Sequence, residues 1–456
     1  MRTVKHLAFA GLAATCALAG LIAPSVGTAH ARAAAEPPVP AFGEMAQGEV
    51  VEAIAEALTR KYIFPDKAAA AAALIRENLR MGRYAALDRD GFTKRLTDDL
   101  QSITHDKHMR VTVDDAPPPS DATSEAPLPP PATMFGFERA DRLAGNIGYV
   151  KLNGFHPPEA LSVVADELMP KLVGTNALII DMRDNHGGDP AGVSRLVSFF
   201  VEAGDPVHVN DLIWRKAGTD EYVREAFSTS ATAVSYRNKP VYVLTGPGTF
   251  SGGEEFSYDM QVLKLATLVG ETTGGGANPG GAWPLGSALS IFVPSGRAEN
   301  PITKTSWEGV GVKPDIATPA SQAFATAYAA ALRATQQTPA TAAAPGDVTT
   351  ERLLVLRTKP YPQGEAYIRR HVDGLVSGEV PFDIFSPAMA EALKGPVPAD
   401  LQAIMQALGP VQSVRFVQID PLGSDEYDVT FAQGEQRWVL GLNGADKIVV
   451  FHFRPK

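Results

Sequence analysis

Cysteine is almost absent from this chain of 456 residues: there is one, Cys16, and it lies in an apolar N-terminal run. Past that run the chain has no disulfide, no thiol nucleophile and no thiolate metal ligand to offer. No second apolar run is long enough to span a bilayer. Basic clusters are missing too: 41 Lys and Arg stand against 51 Asp and Glu, and the net charge of −10 argues against nucleic acid as a partner. The helical His-Glu-x-x-His pattern is absent, and His105 and His108 have no third ligand spaced near them, so neither a metal nor a cofactor is expected. What is present, 45% hydrophobic and 20% charged residues, is the composition of a globular protein, and the length predicts about two to three domains.

Arg2 and Lys5 precede an alanine-rich apolar run over residues 7–23, and Ala29-His30-Ala31 closes it in the small-x-small pattern of a signal peptidase site. Residues 1–31 are therefore expected to be a signal peptide. The mature protein is expected to be exported, periplasmic or extracellular, with no membrane span.

Residues 49–61 place Val51, Ile54, Ala55 and Leu58 on one helical face, and residues 67–81 do the same with Leu74, Ile75 and Leu79. Residues 90–103, with Asp90 as the cap, add Phe92, Leu96 and Leu100. A small helical bundle within 32–113 follows. The prolines at 117–119 and 129–131 mark 114–134 as a linker. Over 135–335 strand and helix alternate, with strands at 146–152, 177–180, 241–244 and 289–293 and helices near 159–172 and 191–201, which is the pattern of an α/β core. The Ala-, Thr- and Pro-rich stretch 336–350 reads as a second linker. In 351–456, helical patterns at 365–375 and 399–408 precede four strand-like runs, with Asn443-Gly444 as hairpin chemistry. That order predicts an α+β domain resembling the NTF2-like or cystatin-like folds.

The central stretch is 241–260. Gly246-Pro247-Gly248 breaks an apolar strand, and Phe256 and Met260 continue at helical spacing, so Ser251 falls at the start of a helix. A hydroxyl there lies beside unpaired N–H groups and the positive end of the helix dipole, which favour negative charge on a bound acyl oxygen. The bland alternative is that Ser251 and Glu254 form a Ser-x-x-Glu capping box. Similarly, Gly187-Gly188, after the strand at 177–180, either aims amides at a ligand or makes a simple turn.

Five blocks occur in order: Asp106-Lys107-His108, Asp181-x-Arg183-x-Asn185-x-Gly187-Gly188, Thr249-Phe250-Ser251-Gly252-Gly253-Glu254-Glu255-Phe256, Gly270-Glu271-Thr272-Thr273-Gly274-Gly275, and Glu308-Gly309-Val310-Gly311-Val312-x-Pro314-Asp315. From about residue 49 to 334 the chain thereby resembles the S41 serine peptidases, which include the C-terminal processing proteases, the tricorn core protease and the interphotoreceptor retinoid-binding proteins. The resemblance implies a ClpP/crotonase-like core of ββα units behind a helical N-terminal part, and a peptide or protein substrate. The processing proteases carry their lysine base in a Gly-Lys-Gly block; here that block is Gly275-Gly276-Ala277. Nor is there room for their PDZ domain between Asp114 and Arg142. The resemblance is thus to the histidine-type branch. It implies Ser251 as nucleophile, His108 as base, Glu308 as the third group, and Gly252 with Gly187 or Gly188 as oxyanion donors. Lys107 stands where the tricorn pattern has a serine before the histidine, so Glu308 acts directly or through water. His105 and His186 are rival bases. The competing reading from the same scaffold is a carrier of an apolar ligand.

Overall fold

A computed structural model describes residues 43–113, 133–336 and 342–456. The expected signal peptide and nearly all of the expected linker at 114–134 lie outside the described residues. The chain divides into two compact units, one of Met1–Ala122, Ile213–Arg224 and Asn278–Arg297, the other of Thr123–Leu212, Glu225–Ala277 and Ala298–Lys456.

The first unit starts with helices Glu44–Lys61, Pro65–Arg80 and Arg89–Thr104. Pro65 opens the second at a position whose N–H is unneeded. Asp88, not Asp90, caps the third: its extended backbone lets the carboxylate accept from Gly91 N at 2.7 Å, and Asp90 already lies in the first turn. The apolar faces foreseen from periodicity meet in one core with Val51, Ile54, Leu58, Ile75, Phe92, Leu96 and Leu100. The helices do not close that core alone. Leu285, Leu289, Ile291 and Val293 complete it from an antiparallel sheet of Arg110–Val113, Leu289–Pro294 and Gly280–Gly286.

The second unit holds a seven-stranded sheet in the order Ile316–Ala317, Thr267–Gly270, Val241–Thr245, Ala177–Asp181, Ile147–Leu152, Phe137–Leu143 and Thr349–Arg352. The pairings from Ile147–Leu152 to Ile316–Ala317 are parallel, and the last two strands join antiparallel. The central strands Ala177–Asp181 and Val241–Thr245 are buried at every position, which is why they read as unbroken apolar runs. Tyr149, Ile179, Leu244 and Val269 pack with Phe324, Ala327 and Tyr328 of helix Ala323–Ala334. Thr349–Arg352, at the end of the stretch expected as a linker, is an edge strand of this sheet.

The C-terminal part of the same unit has helices Gly364–Ser377, Pro387–Ala392 and Ala399–Leu408, then a meander of Val411–Ile419, Asp425–Phe431, Gly434–Leu442 and Ile448–Pro455. Its core gathers Ile368, Val372, Met405, Val429 and Trp438. Backbone bonds tie it to the segment that leads into strand Phe137–Leu143: Thr133 N donates to Pro421 O at 3.0 Å and Phe135 N to Leu422 O at 2.8 Å. Glu159 accepts from Ala388 N at 3.1 Å and from the Ser386 hydroxyl.

Candidate active site

Ser251 sits at the N-cap of helix Gly252–Val262, at the carboxyl end of strand Val241–Thr245. The connecting turn is fastened to the next strand's loop: Thr249 Oγ1 donates to Met182 O at 2.8 Å, and Phe250 N to Asn185 O at 2.9 Å. Ser251 adopts φ 52°, ψ −121°, a conformation that costs a residue with a Cβ about 1–3 kcal/mol. Glu254 holds it there. Its fully buried carboxylate accepts from Ser251 N at 3.0 Å, Gly276 N at 2.8 Å, Gly275 N at 2.6 Å and Thr273 Oγ1 at 2.5 Å. The capping-box spacing is therefore used: Glu254 caps the Ser251 amide from the third position of the helix.

Gly187-Gly188 follows strand Ala177–Asp181 through a braced loop. Arg183 clamps the Asp181 carboxylate with Nε at 2.8 Å and Nη2 at 2.6 Å. Buried Asn185 donates to Leu152 O at 2.9 Å and accepts from Gly187 N at 2.9 Å. Both glycines are required. With φ 102°, a Cβ on Gly187 would stand 2.6 Å from Ser251 Cβ and 2.7 Å from Gly252 N; with φ 137°, one on Gly188 would stand 2.0 Å from Phe155 O. The backbones of Gly188 and Gly252 also face each other, since a Cβ on Gly252 would lie 3.1 Å from Gly188 N. Among the described residues neither the Gly188 N–H nor the Gly252 N–H donates to a protein acceptor. Two uncommitted amides thus adjoin the serine at the positive end of a helix, an arrangement suited to an oxyanion.

Glu308 lies half-buried after Trp307, whose Nε1 donates to Gly276 O at 2.8 Å. Gly309 N donates to Gly275 O at 3.0 Å, and Glu308 Oε2 accepts from Ala277 N at 2.5 Å. The glycine loop at 274–276 is therefore gripped by Glu254 and by the 307–309 turn. This unit brings Ser251, Gly252, Gly187 and Gly188 together and links Glu308 to them through that loop.

His108 belongs to the first unit. It follows helix Arg89–Thr104, whose C-cap is His105 in the left-handed region at φ 56°, exposed to solvent. The His108 ring is buried and stacks on Phe292, centroids 5.8 Å apart. Burial, and secondarily the charge of Arg110, lower its pKa to about 4. Its imidazole is neutral at pH 7 and able to accept a proton. Asp106, 1% exposed, puts Oδ1 3.8 Å from His108 Nδ1 and accepts from His108 N at 3.1 Å and Asn278 Nδ2 at 2.9 Å. Burial raises its carboxyl's pKa. His186 is exposed, with its N–H on Asn153 O at 3.1 Å. Sequence reasoning missed roles for Glu254, Asn185 and Asp106, although each lies inside a motif block; a carboxylate two residues before the candidate base was the available signal for Asp106.

Residues 146–318 match the sequence profile of peptidase family S41, and residues 44–140 that of the N-terminal domain of Peptidase_S41 in eukaryotic IRBP. The chain is 30% identical over 178 residues to carboxyl-terminal-processing peptidase 2, chloroplastic, of Arabidopsis thaliana, covering 38% of this chain and 32% of that one. It is 26% identical over 173 residues to the chloroplastic C-terminal processing peptidase of Tetradesmus obliquus, covering 37% and 34%. The chain thus spans about a third of the length of these curated relatives. Among solved structures it is similar to a putative peptidase from Parabacteroides merdae, with TM-score 0.44 and 20% identity over 60% of this chain and 90% of that one.

Proposed function

The chain belongs to peptidase family S41, with that family's N-terminal domain ahead of it, and from this premise we propose that it is an exported serine peptidase that cuts peptide bonds through an acyl-enzyme. Ser251 Oγ attacks the scissile carbonyl while His108 takes its proton. The tetrahedral oxyanion is received by the Gly252 N–H and by an N–H of the Gly187-Gly188 loop, each worth roughly 3 kcal/mol of transition-state stabilisation by analogy with other hydrolases. His108 then gives its proton to the departing amine, and water, deprotonated by the same imidazole, releases the acyl group. Glu308 is the group that orients and stabilises the imidazolium.

One observation carries the reading: a serine held in a strained conformation at the positive end of its helix, beside two uncommitted glycine amides. Burial keeps the His108 imidazole neutral at pH 7, the form in which it can take up a proton. Export rests on the apolar run and small-x-small site within residues 1–31. The test is cleavage of a peptide library by the purified protein, with products read by mass spectrometry. Cleavage that disappears in Ser251→Ala is expected. Cleavage that persists in Ser251→Ala contradicts the assignment, and no cleavage together with a co-purifying apolar molecule would favour the carrier reading.

A further inference from the structure

The helix that begins at Ser251 carries a second acidic group on which the proposed chemistry makes no demand. Glu255 and Asp259, one turn apart, are 5% and 0% exposed. Asp259 Oδ1 accepts from Asn300 Nδ2 at 3.2 Å, but Asp259 Oδ2 and Glu255 Oε1 have no partner among the described residues. Asn210, 0% exposed, has neither its Oδ1 nor its Nδ2 paired. Its N–H end lies toward Glu255 and favours the ionised carboxylate, though short of full hydrogen-bond geometry, and a half-turn of the amide presents Oδ1 there instead. Buried polar atoms are ordinarily paired, and here two carboxylates and an amide leave four atoms unpaired in one cluster.

Left alone, the pair holds its protons tightly. Burial, with the charge of Asp189 adding to it, pushes Glu255 up to about 8, and burial together with Glu255 raises Asp259 well above the usual carboxylate range. A cation among the oxygens removes the need for those protons. The donor set is all oxygen, which selects a hard ion, and two carboxylates favour a double charge. Magnesium keeps several waters in a strict octahedron, for which side chains buried this deeply are poorly suited; calcium accepts irregular oxygen cages. We propose that Glu255, Asp259 and the Asn210 amide oxygen form a binding site for a divalent cation of the calcium type, behind the helix that carries Ser251. The proposal is independent of the peptidase reading.

The test strips the mature protein with a chelator, dialyses it against calcium, measures bound metal by plasma mass spectrometry and follows thermal unfolding in millimolar calcium, magnesium or sodium chloride. The expected result is about one calcium per chain and a midpoint raised by a few degrees, with magnesium and sodium less effective. The double variant Glu255→Gln/Asp259→Asn is expected to retain no calcium and to lose the shift. Wild-type protein that keeps no calcium and shows no shift overturns the proposal, as does a double variant that binds calcium as well as wild type. Should the double variant fail to fold, wild-type stoichiometry and Asn210→Asp, which adds a charged ligand and is expected to tighten calcium binding, decide the question. An Asn210→Asp that leaves calcium affinity unchanged or weaker counts against the site.

Discussion

Ser251→Gly and Ser251→Ala both remove the hydroxyl, but only the first removes the Cβ that strains the backbone at φ 52°, ψ −121°. Relief of that strain is worth about 1–3 kcal/mol. Glycine also gains freedom in the unfolded chain, which takes back about 0.5–1 kcal/mol. Ser251→Gly is therefore expected to be more stable than Ser251→Ala by roughly 1 kcal/mol, within limits of about 0 and 2.5 kcal/mol, although both lack the nucleophile. Urea unfolding, with the two variants compared at matched m, reads the difference as a shift in midpoint. The alanine variant keeps the Glu254 bond to the residue 251 N–H, so the network is common to both and cancels. If Ser251→Gly is no more stable than Ser251→Ala, the turn stores no strain, and the argument that the fold forces this serine into a special conformation fails.

Other consequences can be checked separately. Because His108 has its pKa lowered to about 4 from 6.5, its base form persists well below neutrality, so the acid limb of kcat/KM should fall near pH 4; Arg110→Gln removes a positive neighbour and should move the limb upward, whereas a limb near 6.5 in wild type contradicts the buried, neutral imidazole. The same shift has a stability sign: below 6.5 the unfolded chain takes up a proton that the folded one refuses until about 4, so acid in that window should lower stability, and His108→Gln should weaken the dependence. Glu254→Gln must turn an NH2 toward at least one of the carboxylate's donors, leaving buried groups unpaired at a cost of at least about 1–3 kcal/mol, and turnover should fall with stability in denaturant titrations. Gly188→Ala would put its Cβ 2.0 Å from Phe155 O; the loop must shift, and a loss in kcat of about 100-fold or more is expected, the size of losing one oxyanion donor.

Segments with a strong apolar period were legible as sequence. The helix expected at 399–408 is Ala399–Leu408, and the strands expected at 146–152 and 241–244 are Ile147–Leu152 and Val241–Thr245. Strand Gly280–Gly286 was not legible: Gly280, Gly281 and Pro284 all disfavour a strand, and it exists because it pairs with Leu289–Pro294. The partners that finish the helical core, Leu285 to Val293, are remote in sequence, and periodicity carries no information on such contacts. At the site, the glycines stood out because close approach and positive φ admit little else. Glu254 was hidden by its own spacing, which a capping box shares; only the geometry reveals that its carboxylate reaches Thr273, Gly275 and Gly276 besides Ser251. Asp88 outcompeted Asp90 as a cap for a local reason, the extended backbone at 88.

The most direct measurement is intact-protein mass spectrometry after exposure to a fluorophosphonate, which reports an activated serine without a known substrate. One adduct on wild type, lost in both Ser251→Ala and His108→Ala, is the expected result. Folded wild type that forms no adduct, or an adduct that survives Ser251→Ala, would contradict the assignment of Ser251 as an activated nucleophile.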